Sequence, residues 1–259
     1  MEQRKVLLSI MVVGMFSSAA LAIAPMGPPV AGLAEGQYAV GLGYAMSDQT
    51  LEVSGPVSAT GDAEIDVESN MYYGCIGYGI SNEWSIGVAL GMADAEFDAD
   101  GSGSDFDGDS NFGFAVVTKR TLHDNGTDTK WGTIFQYCRG SSEDKTGASP
   151  ASSTYGNGAT TSVGANKKLE LEWYEMQLAL GPAVQVNEDV CVYGGPFLHF
   201  VEGDLEIQGS QYEYELEQRL ELGGFIGALI NLGGSASLSL EFLITGEAWG
   251  AGIGAMFAL

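Results

Sequence analysis

Basic residues are scarce in this sequence. The 259-residue chain has 10 Lys and Arg against 34 Asp and Glu, a formal net charge of −24. Such a field repels phosphate backbones and excludes nucleic acid as a partner. Charge of either sign is itself thin at 17%, while 45% of residues are hydrophobic, too many for a disordered acidic chain. Histidine occurs twice, at His123 and His199, and cysteine three times, at Cys75, Cys138 and Cys191. Three cysteines in one chain cannot all pair, and free cysteine commonly serves as a small buried filler. No G-x-S-x-G, H-E-x-x-H, phosphate loop or paired-cysteine metal motif occurs. Beyond the first 22 residues there is no run of about 18 or more apolar residues, so no bilayer-spanning helix is encoded there. What is present instead is glycine, 38 residues, and aromatics, 10%. That composition points to an all-β protein with its charges on loops or inside.

Arg4 and Lys5 precede the apolar run Val6–Phe16, and Ala20-Leu21-Ala22 closes the segment on an A-x-A pattern. This predicts a secretory signal peptide over 1–22, cleaved after Ala22, with an uncleaved anchor as the alternative. Residues 23–35 carry Pro25, Pro28 and Pro29 and read as a flexible segment ahead of a single domain, 36–259.

The domain is written in period two. In Tyr38–Met46 every even residue is large and apolar, and every odd residue is small; Trp84–Met92 obeys the same rule. A strand sends successive side chains to opposite faces, so each segment has one greasy face and one small or polar face. Ten such segments follow one another. Links after the second, fourth, sixth and eighth are tight, with Asn125-Gly126 and Gly233-Gly234 suited to turns that need positive φ. Links after the first, third, fifth and seventh are long and polar, roughly 47–64, 94–109, 141–167 and 203–212.

Either a soluble sandwich or a membrane barrel buries one face of ten strands. A greasy face turned inward would leave Ser85, Gly87, Ala89 and Gly91 as the outer surface, where a soluble protein carries Lys, Glu, Arg and Asp. Turned outward, it meets lipid, and the small residues fit a narrow interior. Tyr38, Tyr44, Tyr72, Tyr78, Trp84, Trp131, Tyr137, Tyr174 and Phe257 then fall on the outer face, where interfacial aromatic girdles are expected. The predicted fold is a closed, antiparallel, up-and-down transmembrane β-barrel of about ten strands, eight or twelve being the alternatives.

The leader, the ten segments, the rhythm of short turns and long loops and the ending Ile253–Leu259 resemble small bacterial outer-membrane β-barrels of the OmpA-like, opacity-type group. The likeness covers the mature chain by pattern. It implies a Gram-negative outer membrane, lipid and lipopolysaccharide as surroundings, termini in the periplasm and long loops outside. It also implies insertion by the barrel-assembly machinery, which in that group reads a final Phe or Trp. Here the last residue is Leu259, with Phe257 two positions earlier.

Two constellations could carry chemistry. Asp98, Asp100, Ser102 and Asp109 occupy positions 1, 3, 5 and 12 of a segment with Gly at position 6, parallel to a Ca²⁺ loop; the default reading is a solvated acidic loop, with Ca²⁺ binding the alternative. Glu175, Glu217, Arg219, Glu221, Glu241 and His199 fall on the small-residue faces and are expected to form a lumen charge cluster. It would either fill the interior or line a cation-preferring pore. Apart from that possible Ca²⁺, no cofactor is called for. The functional expectation is a non-enzymatic structural or surface-interaction role through acidic outer loops. A small cation channel is the alternative, and an outer-membrane enzyme using His199 the weaker one.

Overall fold

The structure, a computed structural model, describes residues 24–54, 63–97, 106–124, 126–145, 151–155, 159–163, 167–208 and 213–259. The leader lies outside the described residues, as do Asp98, Asp100 and Ser102.

Ten long strands form the wall: β1 (Tyr38–Ser54), β2 (Ala63–Ser81), β3 (Trp84–Phe97), β4 (Asp109–Asp124), β5 (Thr129–Lys145), β6 (Lys168–Gln185), β7 (Val190–Ile207), β8 (Glu213–Gly233), β9 (Ala236–Ile244) and β10 (Ala248–Ala258). Each pairs antiparallel with its sequence neighbours, and β1 pairs with β10, from Ala39↔Ala258 to Gln49↔Ala248, which closes the barrel. A two-residue strand, Phe106–Asp107, extends the edge of β3, and Ala151–Tyr155 pairs with Ala159–Val163 in the link from β5 to β6. At the turn end Gly126, Gly233 and Gly234 have φ of 73°, 90° and 66°, the left-handed geometry that the Asn-Gly and Gly-Gly pairs predict.

The strands are longer than a membrane crossing needs. A strand of 17 residues such as β1, tilted by about 40°, climbs about 43 Å, against an apolar band of roughly 25 Å. Only β9 and β10, with 9 and 11 residues, match the band. Above their turn at Thr245–Glu247, β1 leaves β10 and pairs with β8 instead, through Glu52↔Glu217, Val53↔Leu216 and Ser54↔Glu215. The wall therefore has ten strands in its lower storey and eight in its upper one. Much of the sequence expected to be long polar loop, 47–54, 94–97, 141–145 and 203–207 among it, is strand.

In the lower storey the sidedness matches the sequence argument. Leu42, Tyr72, Ile76, Trp84, Val88, Trp131, Phe135, Leu178, Ile226, Leu240 and Ile253 point outward and are exposed. Aromatic rings gather at both edges of this band. Tyr38 and Tyr78 lie 4.8 Å apart near the turn end, and Tyr44 and Tyr72 lie 4.8 Å apart at the upper edge. There Phe114, Tyr137, Tyr174 and Phe200 continue around the wall in steps of 6.0–6.3 Å.

In the upper storey the sidedness inverts. Leu51, Val53, Ile65, Val67, Phe97, Leu169, Leu171, Trp173, Leu205, Ile207 and Leu216 face inward and pack as one core, closed by the Phe97–Phe106 stack at 4.8 Å. Their strand neighbours Glu64, Asp66, Glu68, Glu96, Glu172, Glu206, Glu215 and Glu217 face out. An eight-stranded barrel with an apolar core and an acidic exterior stands on a ten-stranded one with an apolar exterior.

Candidate functional site

The lumen is the place where this sequence gathers buried polar chemistry, and it is occupied. Residues 24–36 turn in from the rim and run up inside the lower storey as a strap. At the rim the Gly36 amide donates to the Gly79 carbonyl at 2.9 Å and the Glu35 amide to Asn82 Oδ1 at 3.3 Å. Higher, Ala31 N donates to Thr121 Oγ1 at 3.1 Å. Higher still, the amides of Met26 and Gly27 both donate to Glu241, at 2.6 and 2.8 Å, and Gln136 Nε2 donates to the Ala24 carbonyl at 3.0 Å. Met26 and Val30 are buried in a cluster with Ile134, Ala179, Ala183, Phe197, Phe225 and Leu243.

Residues 24–35, expected as a flexible segment, lie here along the inside of the wall with these bonds. Three prolines do make a poor strand or helix, but a segment with few N–H donors to satisfy suits the inside of a closed wall. The wall makes room for it with glycine. A Cβ at Gly132 would collide with the Pro29 carbonyl, and one at Gly252 with the Pro25 ring. Part of the small-residue stripe is therefore the strap's bed.

Glu241 is nearly fully buried, and its two strap bonds satisfy much of its carboxylate. Lys119 is the cation that faces it: the two attract electrostatically, and the Lys119 amine lies against Gly27. Lys130 and Arg139 point outward and pair with Asp124 at 2.8 Å and Glu172 at 2.9 Å.

Above the strap lies a polar layer formed by Gln49, Gln136, Glu175, Gln177, His199 and Gln218, all buried. Register explains the grouping: Gln136 is the Cα partner of Gln177, and Gln177 that of His199. Glu175 accepts from Gln177 Nε2 and lies 3.0 Å from His199 Nε2. His199 thus pairs with Glu175, whereas Glu202 points outward and accepts from the Tyr174 hydroxyl. Gln49, Gln177 and Gln218 are uncharged and went unnoticed in the sequence. The signal was positional, since each occupies an inward phase where neighbours are small or apolar.

Of the expected lumen cluster, Glu175, Glu241 and His199 face inward. Glu217 and Arg219 do not, which is a correction. Arg219 is 76% exposed at its side chain and lies 3.3 Å from Glu52 on the outer wall. The cause is a β-bulge: His199 pairs with Glu221 but Val201 pairs with Gln218, so Arg219 and Leu220 together oppose Phe200. A bulge shifts the phase of its strand by one residue. Below it the even residues Leu222 and Ile226 point out; above it the even residues Leu216 and Gln218 point in. Glu221, half-buried at the shoulder, accepts from the Glu247 amide at 3.3 Å instead of entering the lumen.

Outside the upper storey the acids crowd. Burial first, then Asp107, Asp94 and Glu68, push the Glu96 carboxyl above its usual value. Asp204 is raised in the same way, by burial and then Glu215, Glu202 and Glu172. Lys168 sits between Glu143 and Glu170 at 2.8 and 3.0 Å. Asp109 is exposed at the start of β4, opposite Glu143. Among the described residues no group of three His, Cys, Asp or Glu is gathered to hold a metal. The three cysteines are free, and Cys138 is buried.

No protein-family model matches the chain, and no curated protein is significantly similar to it. Among solved structures it is similar to the translocator domain of the autotransporter NalP from Neisseria meningitidis, at 12% identity and a TM-score of 0.46, covering 99% of this chain and 95% of that one. It is similar to OprG from Pseudomonas aeruginosa at 10% identity and 0.43, over 88% and 98%. Ail, the attachment invasion locus protein of Yersinia pestis, gives 14% and 0.39, over 87% and 99%. At these values the likeness is one of barrel architecture.

Proposed function

We propose that this protein is a non-conducting, non-enzymatic integral outer-membrane barrel with a structural and surface-interaction role, lifting acidic loops above the bilayer on a rigid turret. The lower storey supplies the membrane fit. An outward apolar band with aromatic edges is stable only against hydrocarbon, because in water it would be one continuous exposed patch. The short turns of the strap end face the periplasm, and the eight-stranded turret faces outside.

The observation that carries the non-conducting part is the double closure of the lumen. The strap fills the lower interior and the Leu51–Trp173–Leu216 core fills the upper one. An apolar core across the upper interior offers an ion no polar partner to replace its water. The turret's outer face, acidic through Glu64, Asp66, Glu68, Glu96, Glu206, Glu215 and Glu217, suits cationic partners and the divalent-ion-rich surface of lipopolysaccharide.

Planar-bilayer recording tests this. The purified protein gives no conductance steps, and deleting residues 24–31 still gives none because the turret core stays closed. Stepwise, cation-selective conductance in the intact protein would restore the channel reading. A peptide tag inserted at position 148 is reached by antibody on intact cells; a tag detected only after lysis would reverse the orientation.

A further inference from the structure

The apolar band of the lower storey is not smooth. From β1 across β10, β9 and β8 the outer wall carries an open groove of about 560 Å³, lined by Tyr44, Met46, Ala228, Leu240, Phe242 and Ala251. Register explains the dent. Ala251 lies between its Cα partners Met46 and Phe242, and Ala228 lies between Leu240 and Val192, so a small side chain twice interrupts a row of large ones. Four inter-strand steps make the groove about 19 Å across. Glu241, the one acid of its lining, turns away into the lumen, where the strap holds it. The groove is therefore apolar throughout.

Above it the chemistry changes within a few residues. Trp249, the Cα partner of Asp48, stacks on Phe242 at 6.4 Å and closes the upper end with an aromatic face. Next comes the turn at Glu247, whose carbonyl accepts from the Thr50 amide at 2.8 Å, and beyond it Glu52 with its Cα partner Glu64. Burial first, then Glu221, Glu64 and Glu52, push the Glu247 carboxyl above its usual value, and Arg219 opposes them. That guanidinium already lies 3.3 Å from Glu52. A phosphate brought here would meet the carboxylates of Asp48, Glu52, Glu64, Glu221 and Glu247 against one engaged cation. An ammonium would meet the same carboxylates as counter-charges and the Trp249 ring as a cation–π partner.

We propose that this groove docks a single-chain cationic amphiphile that arrives from the outer medium, with its alkyl tail across β8–β10 and its ammonium head at Trp249, below the carboxylates of Asp48 and Glu247. The inference rests on the membrane reading given above and deepens its cationic-partner part. Surrounding hydrocarbon is as apolar as the groove, so the tail gains packing and position there but no hydrophobic free energy. Selection falls on the head. A tail lying in the dent brings the head in under the shoulder, where a filled band would hold it away from Trp249.

The test uses the full-length protein recovered from outer membranes and reconstituted in phosphatidylcholine vesicles. Insertion is checked by heat-modifiable gel migration and by resistance to alkaline extraction. Dodecyltrimethylammonium carrying a photoreactive group in its tail is compared with dodecyl sulfate and dodecyl maltoside carrying the same tail, and crosslinks are mapped by mass spectrometry. Crosslinks of the ammonium probe should concentrate on residues 224–253 and exceed those of the sulfate probe there about tenfold, with the maltoside between them. Ala251→Trp, or the milder Ala228→Leu, fills the groove without touching the turret and should remove these crosslinks. Asp48→Asn with Glu247→Gln should cut the ammonium preference to about twofold or less. Glu96→Gln with Asp107→Asn removes the same formal charge from the β3 side of the turret and should leave the preference unchanged.

Equal labelling by the three heads overturns the proposal and leaves the groove an ordinary part of the lipid face. A preference for the sulfate overturns it in favour of a phosphate-bearing lipid. Crosslinks that survive both groove-filling variants, or a preference that survives neutralisation of Asp48 and Glu247, overturn it as well. In each of these cases the inserted barrel stands. Protein that fails to insert in the vesicles overturns the membrane reading, and this proposal with it.

Discussion

The two storeys of this barrel are built from the same strands, yet they obey opposite rules. On β1 the odd residues face inward along the whole strand: Ala39, Gly41 and Ala45 below, Leu51 and Val53 above. The even residues change the other way, from Leu42 and Met46 to Thr50 and Glu52. The backbone does not distinguish the halves; the medium outside does. Hydrocarbon admits apolar side chains without cost and leaves the interior free to be polar, whereas water drives apolar side chains into the interior. Where polarity exchanges faces without a change of strand phase, the chain is leaving the membrane.

Substitutions that respect one rule and break the other sharpen this comparison. The largest effect is expected from Trp173→Ala in the turret core. Removing a buried aromatic costs about 3–5 kcal/mol, and here it should open the upper storey to protease while the lower band stays protected. Trp131→Ala, on the lipid face at 45% exposure, should leave turret proteolysis unchanged. Equal protease sensitivity of the two variants would show that the storeys are not separate cores.

Next is a pair on β8, one on each side of the bulge. Ile226→Arg places a charge in the apolar band and should destabilise the barrel by about 2–4 kcal/mol. Glu217→Arg, on the outer turret wall, should stay within about 0.5 kcal/mol. Reversible folding into lipid vesicles followed by urea titration measures both. If Glu217→Arg is the more damaging, the residue is interior and the phase shift at Arg219–Leu220 is wrong.

A smaller effect is expected from Gly132→Val, whose side chain would overlap the Pro29 carbonyl. Overpacking of this kind costs about 1–3 kcal/mol, and the strap, held by a few bonds, should yield before the wall does. Hydrogen exchange at the Met26 and Gly27 amides should accelerate while exchange in β5 and β6 is unchanged. Accelerated exchange throughout the wall would mean that the strap is part of the barrel's core.

The smallest effect is electrostatic and confined to the turret. Glu96 and Asp204 have carboxyls raised in the folded protein, chiefly by burial and by like charges around them. A raised folded value means that the folded state binds the proton more tightly than the unfolded chain. The turret therefore gains stability as pH falls through the folded value and loses it as pH rises past it, the reverse of the usual paired carboxylate. Glu96→Gln with Asp204→Asn should slightly raise the turret's resistance to protease at pH 7 and flatten its change between pH 7 and 5. Added salt should shrink the difference. Greater protease sensitivity of the double variant at pH 7 would mean that these acids are paired, not crowded.

Much of the architecture was legible in the sequence, because alternation survives as long as both faces keep a consistent environment. Tyr38–Met46 and Trp84–Met92 announce their faces residue by residue. The turret was legible too, in Leu169-Glu170-Leu171-Glu172-Trp173 and Glu213–Glu217, but its charges continue the positions that are greasy lower down and so read as loop or lumen. Glu217 and Arg219 were misplaced for a different reason. The bulge opposite Phe200 inserts one residue, and composition alone does not reveal which residue is extra. At the candidate site, Glu175, His199 and Glu241 stood out as charges on small-residue faces, while the glutamines beside them did not.

The strap was the least legible part. Pro-rich, Gly-rich and uncharged until Glu35, residues 24–34 have no periodicity to betray a partner, and their partners lie far along the chain, 215 residues away for Met26 and Glu241. The sequence by itself determined strand period, turn positions and which face of the lower barrel is apolar, since these follow from local sterics and side-chain transfer to lipid. Only the tertiary structure decided the eight-strand turret, the phase of upper β8 and the filling of the lumen. Each of those depends on which distant segments meet inside a closed wall.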